Sequence, residues 1–141
     1  MIPSSVEKFL ASRKVNVFRT DPASTATALK NLGVSENSQF GEFYLKYQGA
    51  FISPKDEPEL LDIDDVAIPA IPDQTEYIKD VHEIPDNYLA LTTDESEGMY
   101  LYDKNNEAVL DVNFEDINLL KQGTLSAKWK DFNSFISWYF S

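Results

Sequence analysis

Apolar residues fall at helical spacing near both ends of the chain, whereas the middle is made of short apolar runs broken by proline and acidic residues. At the start, Ser4 and Glu7 stand in capping-box spacing ahead of Phe9 and Leu10, which predicts a surface helix over 4–14. In "DPASTATALKNLG", Asp21 is placed to cap, Pro22 to occupy the first helical position and Gly33 to end a second helix. Phe40, Phe43, Tyr44 and Tyr47 then recur at i, i+3, i+4 and i+7 until Gly49, predicting a third helix that buries an aromatic face. The closing "WKDFNSFISWYF" puts Phe132, Phe135, Ile136 and Tyr139 on one helical face after Asp131 as cap.

Between these ends the period shortens. "ELLDI" reads as a strand, and "VAIPAIPDQ" as a loop or edge, because Pro69 and Pro72 oppose helix and central strand alike. Asp73 and Glu76 stand in capping spacing for a short helix that Pro85 stops. Three β-like runs follow, Tyr88–Thr93, Met99–Tyr102 and Ala108–Val112, and the turn chemistry of "DKNNE" makes residues 99–112 a hairpin. In "TTDESEG", Asp94, Glu95 and Glu97 lie on the exposed connection between the first two runs.

A chain of 141 residues with 43% hydrophobic residues supports one packed domain. No run has the roughly 18 apolar residues of a membrane helix, and "MIPSSVEKFL" lacks the order of a signal peptide, so a cytoplasmic protein without membrane association is expected. Cysteine is absent, which removes disulfides and thiolate chemistry. The charge is unevenly spread: residues 53–116 hold 19 acids and 3 bases, whereas the flanks together hold 5 acids and 9 bases. Such a block repels nucleic acid and attracts basic proteins.

Candidate chemistry is sparse. His82 is the single histidine and reads as a surface residue, with no nucleophile elbow or phosphate-binding glycine loop to join it. Asp103, Asn105 and Glu107 copy the 1, 3, 5 spacing of an EF-hand calcium loop, but Ala108 and Phe114 stand at positions six and twelve, where glycine and glutamate are required. A carboxylate-dependent hydrolase using Asp94, Glu95 and Glu97 with a divalent metal is the catalytic alternative. No metal, cofactor or catalytic residue is expected on the leading reading, which is binding.

The order of these pieces, "FGEFYLKYQGAF", "ELLDI", "IPDNYLALTTDESEGMYLYDKNNEAVLDV" and "DFNSFISWYF", resembles the SUKH superfamily of Smi/Knr-type proteins over roughly residues 25–140. The chain departs from the usual pattern in "QGA", where "NGG" is frequent, and in the added "VAIPAIPDQ". The resemblance implies an α+β domain with a curved, mainly antiparallel sheet packed by helices, and no enzymatic activity. Bacterial members are commonly immunity proteins that bind and neutralise a cognate toxin, often a nuclease or deaminase, and fungal relatives are scaffolds and regulators. The acidic block then suits the basic cleft of a toxin acting on nucleic acid. The chain is expected to act as a monomer or weak dimer.

The expected contact set follows from strand alternation. In a sheet covered on one side, Met99 and Leu101 point inward and Tyr100 and Tyr102 are partly exposed as anchors. Asp94, Glu95 and Glu97 stand beside them, joined by Asp62, Asp64 and Asp65 if "LLDIDD" neighbours the hairpin.

Overall fold

Residues 1–64 and 69–141 are described by a computed structural model. Among them, α1 (Ser4–Ala11), α2 (Pro22–Leu32), α3 (Gln39–Lys46), α4 (Ile71–His82), α5 (Ile117–Lys121) and α6 (Phe132–Tyr139) pack around strands β1 (Tyr88–Ala90), β2 (Gly98–Asp103) and β3 (Val109–Asn113). The strands form one antiparallel sheet in the order β1-β2-β3, giving an α+β arrangement. The hairpin is present, with Tyr100 opposite Asp111 and Leu101 opposite Leu110.

The punctuation of α2 and α6 is as the sequence requires. Asp21 Oδ1 accepts from Ser24 N at 3.2 Å and Asp131 Oδ1 from Ser134 N at 2.8 Å, while Gly33 closes α2 with a left-handed φ of 76°. At α1 the predicted capping box is absent. Pro3 precedes the helix without a side-chain cap, and Glu7 is drawn away to Lys46 and to Tyr47 Oη. A tertiary partner here outcompetes a local one.

Two other expectations are corrected. "ELLDI" is not a strand. Leu60 makes one isolated bridge with Phe51 and Leu61 N donates to Leu91 O at 2.9 Å, after which Asp62 accepts from Ile63 N at 2.8 Å and turns the chain. Pro72 does not exclude helix, for it sits in the first turn of α4, where its missing N–H is not needed. The helix starts earlier than predicted, and Asp73 accepts from Ala70 N at 3.2 Å instead of pairing with Glu76 in a capping box. The rest of the loop reading for "VAIPAIPDQ" falls partly on residues 65–68, outside the described residues.

The sheet is covered on both sides. Tyr100, Tyr102, Leu89 and Val109 face a core filled by α1, α3 and α6, in which Phe40, Tyr44, Phe132 and Phe135 are fully buried. Met99, Leu101, Leu110 and Val112 face a second core with Ile78 of α4 and Leu120 of α5. This corrects the expectation for the tyrosines: Tyr100 is 9% exposed and Tyr102 1%. The pattern "MYLY" is that of a central strand with two apolar faces, with no solvated side.

Candidate protein-binding face

The turn between β1 and β2 is shaped by side chains. Thr92 Oγ1 accepts from Tyr100 N at 3.1 Å, and Leu91 N donates to Tyr100 O at 2.9 Å, so the ladder ends one residue past Leu91 and the chain swings outward. Glu97, with a left-handed φ of 59°, returns it to β2 and accepts from Phe114 N through its carbonyl at 3.1 Å. A left-handed non-glycine residue costs about 1–2 kcal/mol, so the local fold overrides the preference of this glutamate.

The three acids of this turn have different surroundings. Glu95 and Glu97 are exposed. Asp94 is largely covered, its Oδ2 lying 2.8 Å from His82 Nε2 at the end of α4. His82 is therefore not a plain surface residue: its ring also packs 5.0 Å from that of Phe114. It joins α4, the acidic turn and the segment after β3.

The remaining acids of the expected set are elsewhere. Asp62 is buried and held by Arg19, whose Nη2 and Nη1 reach its two oxygens at 2.6 and 3.1 Å. Arg19 also donates to the carbonyls of Tyr44, Tyr47 and Asp64, which uses its whole donor fork. Burial pushes the Asp62 carboxyl above its ordinary range, and Arg19 pulls against it. Asp62 is thus a structural pin and not a free contact. Asp64 is half-buried in the same cleft of about 520 Å³, and Asp65 lies outside the described residues. Leu61 N donates to Leu91 O at 2.9 Å, so this segment runs beside the end of β1.

The tyrosines are also spent internally. Tyr100 Oη donates to Glu57 Oε1, and Tyr102 Oη donates to Glu107 Oε1 at 2.9 Å. Burial, reinforced by these carboxylates, raises both phenols well above the ordinary tyrosine range. Neither ring is free to anchor a partner.

What the acidic turn does border is a groove of about 310 Å³ that includes Asp56, Glu57, Ser96, Tyr100 and Asp111. Asp56 and Glu57 are not legible in the sequence as part of it, because nothing local ties them to residue 96. Asp111 was findable, since the hairpin register places it opposite Tyr100. The groove is partly neutralised, for Lys128 Nζ lies 3.4 Å from Asp111 Oδ2. Among the described residues, no three carboxylate or imidazole groups converge on a common metal-holding position, and no helix is long and apolar enough to cross a membrane.

A protein-family comparison matches residues 21–138 to the model described as SMI1 / KNR4 family (SUKH-1). Comparison with curated proteins gives no match.

Proposed function

The chain belongs to the SMI1 / KNR4 family (SUKH-1), and from that membership we propose that it is a non-enzymatic immunity protein, a single domain that binds and neutralises a basic, nucleic-acid-targeting toxin in the cytoplasm. The observation that carries this reading is the acidic block: 19 acids against 3 bases over residues 53–116, with Glu95 and Glu97 standing exposed on a turn braced by His82 and Phe114. Exposed charge of one sign steers a partner of the other, and it contributes to association rate more than to folding. The acids of the turn are the proposed contacts, whereas Asp62, Tyr100 and Tyr102 act by holding the frame.

Co-expression with the toxic domain encoded beside its gene tests the proposal. Rescue of growth together with recovery of a one-to-one complex is the expected result. Absence of any such neighbouring toxin, or toxicity undiminished by the co-expressed chain, overturns it. A scaffold or regulatory module of the Smi/Knr type is the second reading; it is favoured if the chain instead retains several endogenous proteins.

A further inference from the structure

The proposed function requires apolar anchors, and the buried tyrosines cannot supply them. The outer face of α4 can. Ile71, Gln74, Thr75 and Ile78 fill the inward positions of this helix, which leaves Glu76, Tyr77, Asp80 and Val81 facing out. Tyr77 and Val81 are one turn apart, so they lie side by side, and they are 49% and 54% exposed. Valine is a weak helix former, and this one leaves more than half of its surface exposed. The next residue, His82, packs on Phe114, itself 40% exposed. Through that contact the apolar points of α4 continue to Phe114 and to the turn carrying Glu95 and Glu97.

The unpaired charges around these anchors have one sign. Glu76, Asp80, Glu95, Glu97 and Glu115 are exposed and form no ion pair among the described residues. The neighbouring lysines are engaged by other acids, Lys79 with Asp86 at 3.6 Å and Lys121 with Glu83 at 3.0 Å.

We infer that the outer face of α4, with Phe114 and the turn bearing Glu95 and Glu97, is the docking surface, and that its partner is a protein surface setting lysine or arginine around apolar side chains. Tyr77, Val81 and Phe114 are the anchors, and the surrounding acids set partner choice and encounter rate. This assignment rests on the proposed function for the partner's basic character.

Random-sequence peptides displayed on phage and selected on the full-length chain test the surface whichever protein the natural partner is. The expected winners are enriched in lysine or arginine together with one or two apolar residues. Tyr77→Lys and Val81→Lys each weaken their binding by about tenfold or more, with circular dichroism spectra unchanged because both sites are exposed. Asp56→Lys serves as the groove control and leaves binding within a factor of about two or three. If Asp56→Lys abolishes binding and the α4 variants do not, the surface is wrong while the preference for a basic partner stands. If the winners are neutral or acidic, or none emerges, the surface and the partner chemistry both fail.

Discussion

On one face of the sheet the rings of Tyr100 and Tyr102 lie 5.4 and 5.8 Å from those of Phe135 and Phe132; on the other, Met99 and Leu101 share a core with Ile78 and Leu110. The aromatic side is fixed by polar handles as well as by area. Tyr44 Oη donates to Leu61 O at 2.9 Å, Tyr102 to Glu107 at 2.9 Å, and Tyr139 Oη bonds Pro58 O at 2.7 Å, so each hydroxyl ties a loop to the core. The aliphatic side is smaller and holds α4 by its inner face alone. The difference is in what each side holds: the aromatic side spends its polar groups on loops, and the aliphatic side leaves the outer face of α4 exposed.

The sharpest way to break this comparison is to truncate one residue on each side. Phe40→Ala should cost about 3–5 kcal/mol in urea unfolding, whereas Ile78→Val should cost about 0.5–1.5 kcal/mol. A loss below about 2 kcal/mol for Phe40→Ala would contradict the packed aromatic core.

Alkaline titration addresses the handles directly. Tyrosines in the unfolded chain ionise near pH 10, and burial holds Tyr44, Tyr100, Tyr102 and Tyr139 above that range. A raised native pKa gives stability that is complete below the unfolded value and is lost as pH climbs past it. Melting followed by circular dichroism should therefore hold steady up to pH of about 9–10 and fall steeply above it. Stability that is flat to pH of about 12 would contradict the buried phenols.

A smaller effect is expected from Tyr102→Phe, which leaves the carboxylate of Glu107 without its hydroxyl partner and should cost about 1–3 kcal/mol. Met99→Leu, on the side without handles, should stay within about 1.5 kcal/mol. The comparison is weakened if the second change costs more than the first. Smallest of all is the double reversal Glu95→Lys, Glu97→Lys, which should alter unfolding free energy by no more than about 0.5 kcal/mol, because exposed charges contribute little to stability.

Features set by neighbouring residues were legible in the sequence. The caps at Asp21 and Asp131, the aromatic stripe from Phe40 and the hairpin turn all depend on groups within a few positions of one another. What escaped depends on distant partners. Alternation in "MYLY" cannot say whether a second layer covers the tyrosines, and the layers that do so, α3 and α6, lie far away in sequence. Asp62 reads as a free acid because Arg19, its partner, is 43 residues earlier. Likewise, α5 is too short to show a period, and the tie between His82 and Asp94 crosses a strand. The acidic turn itself is visible in the sequence, but strand alternation points to partly exposed rings on the hairpin, and these are buried.

Stopped-flow association of the chain with the basic toxin domain proposed as its partner tests the central claim most directly. The comparison is between the natural chain and the Glu95→Lys, Glu97→Lys variant across a series of salt concentrations. The predicted result is an association rate at least about tenfold slower for the variant at low salt, with the gap closing as salt screens the field and dissociation little changed. A variant that associates as fast as the natural chain, with the same salt dependence, would show that the acidic turn does not face the partner.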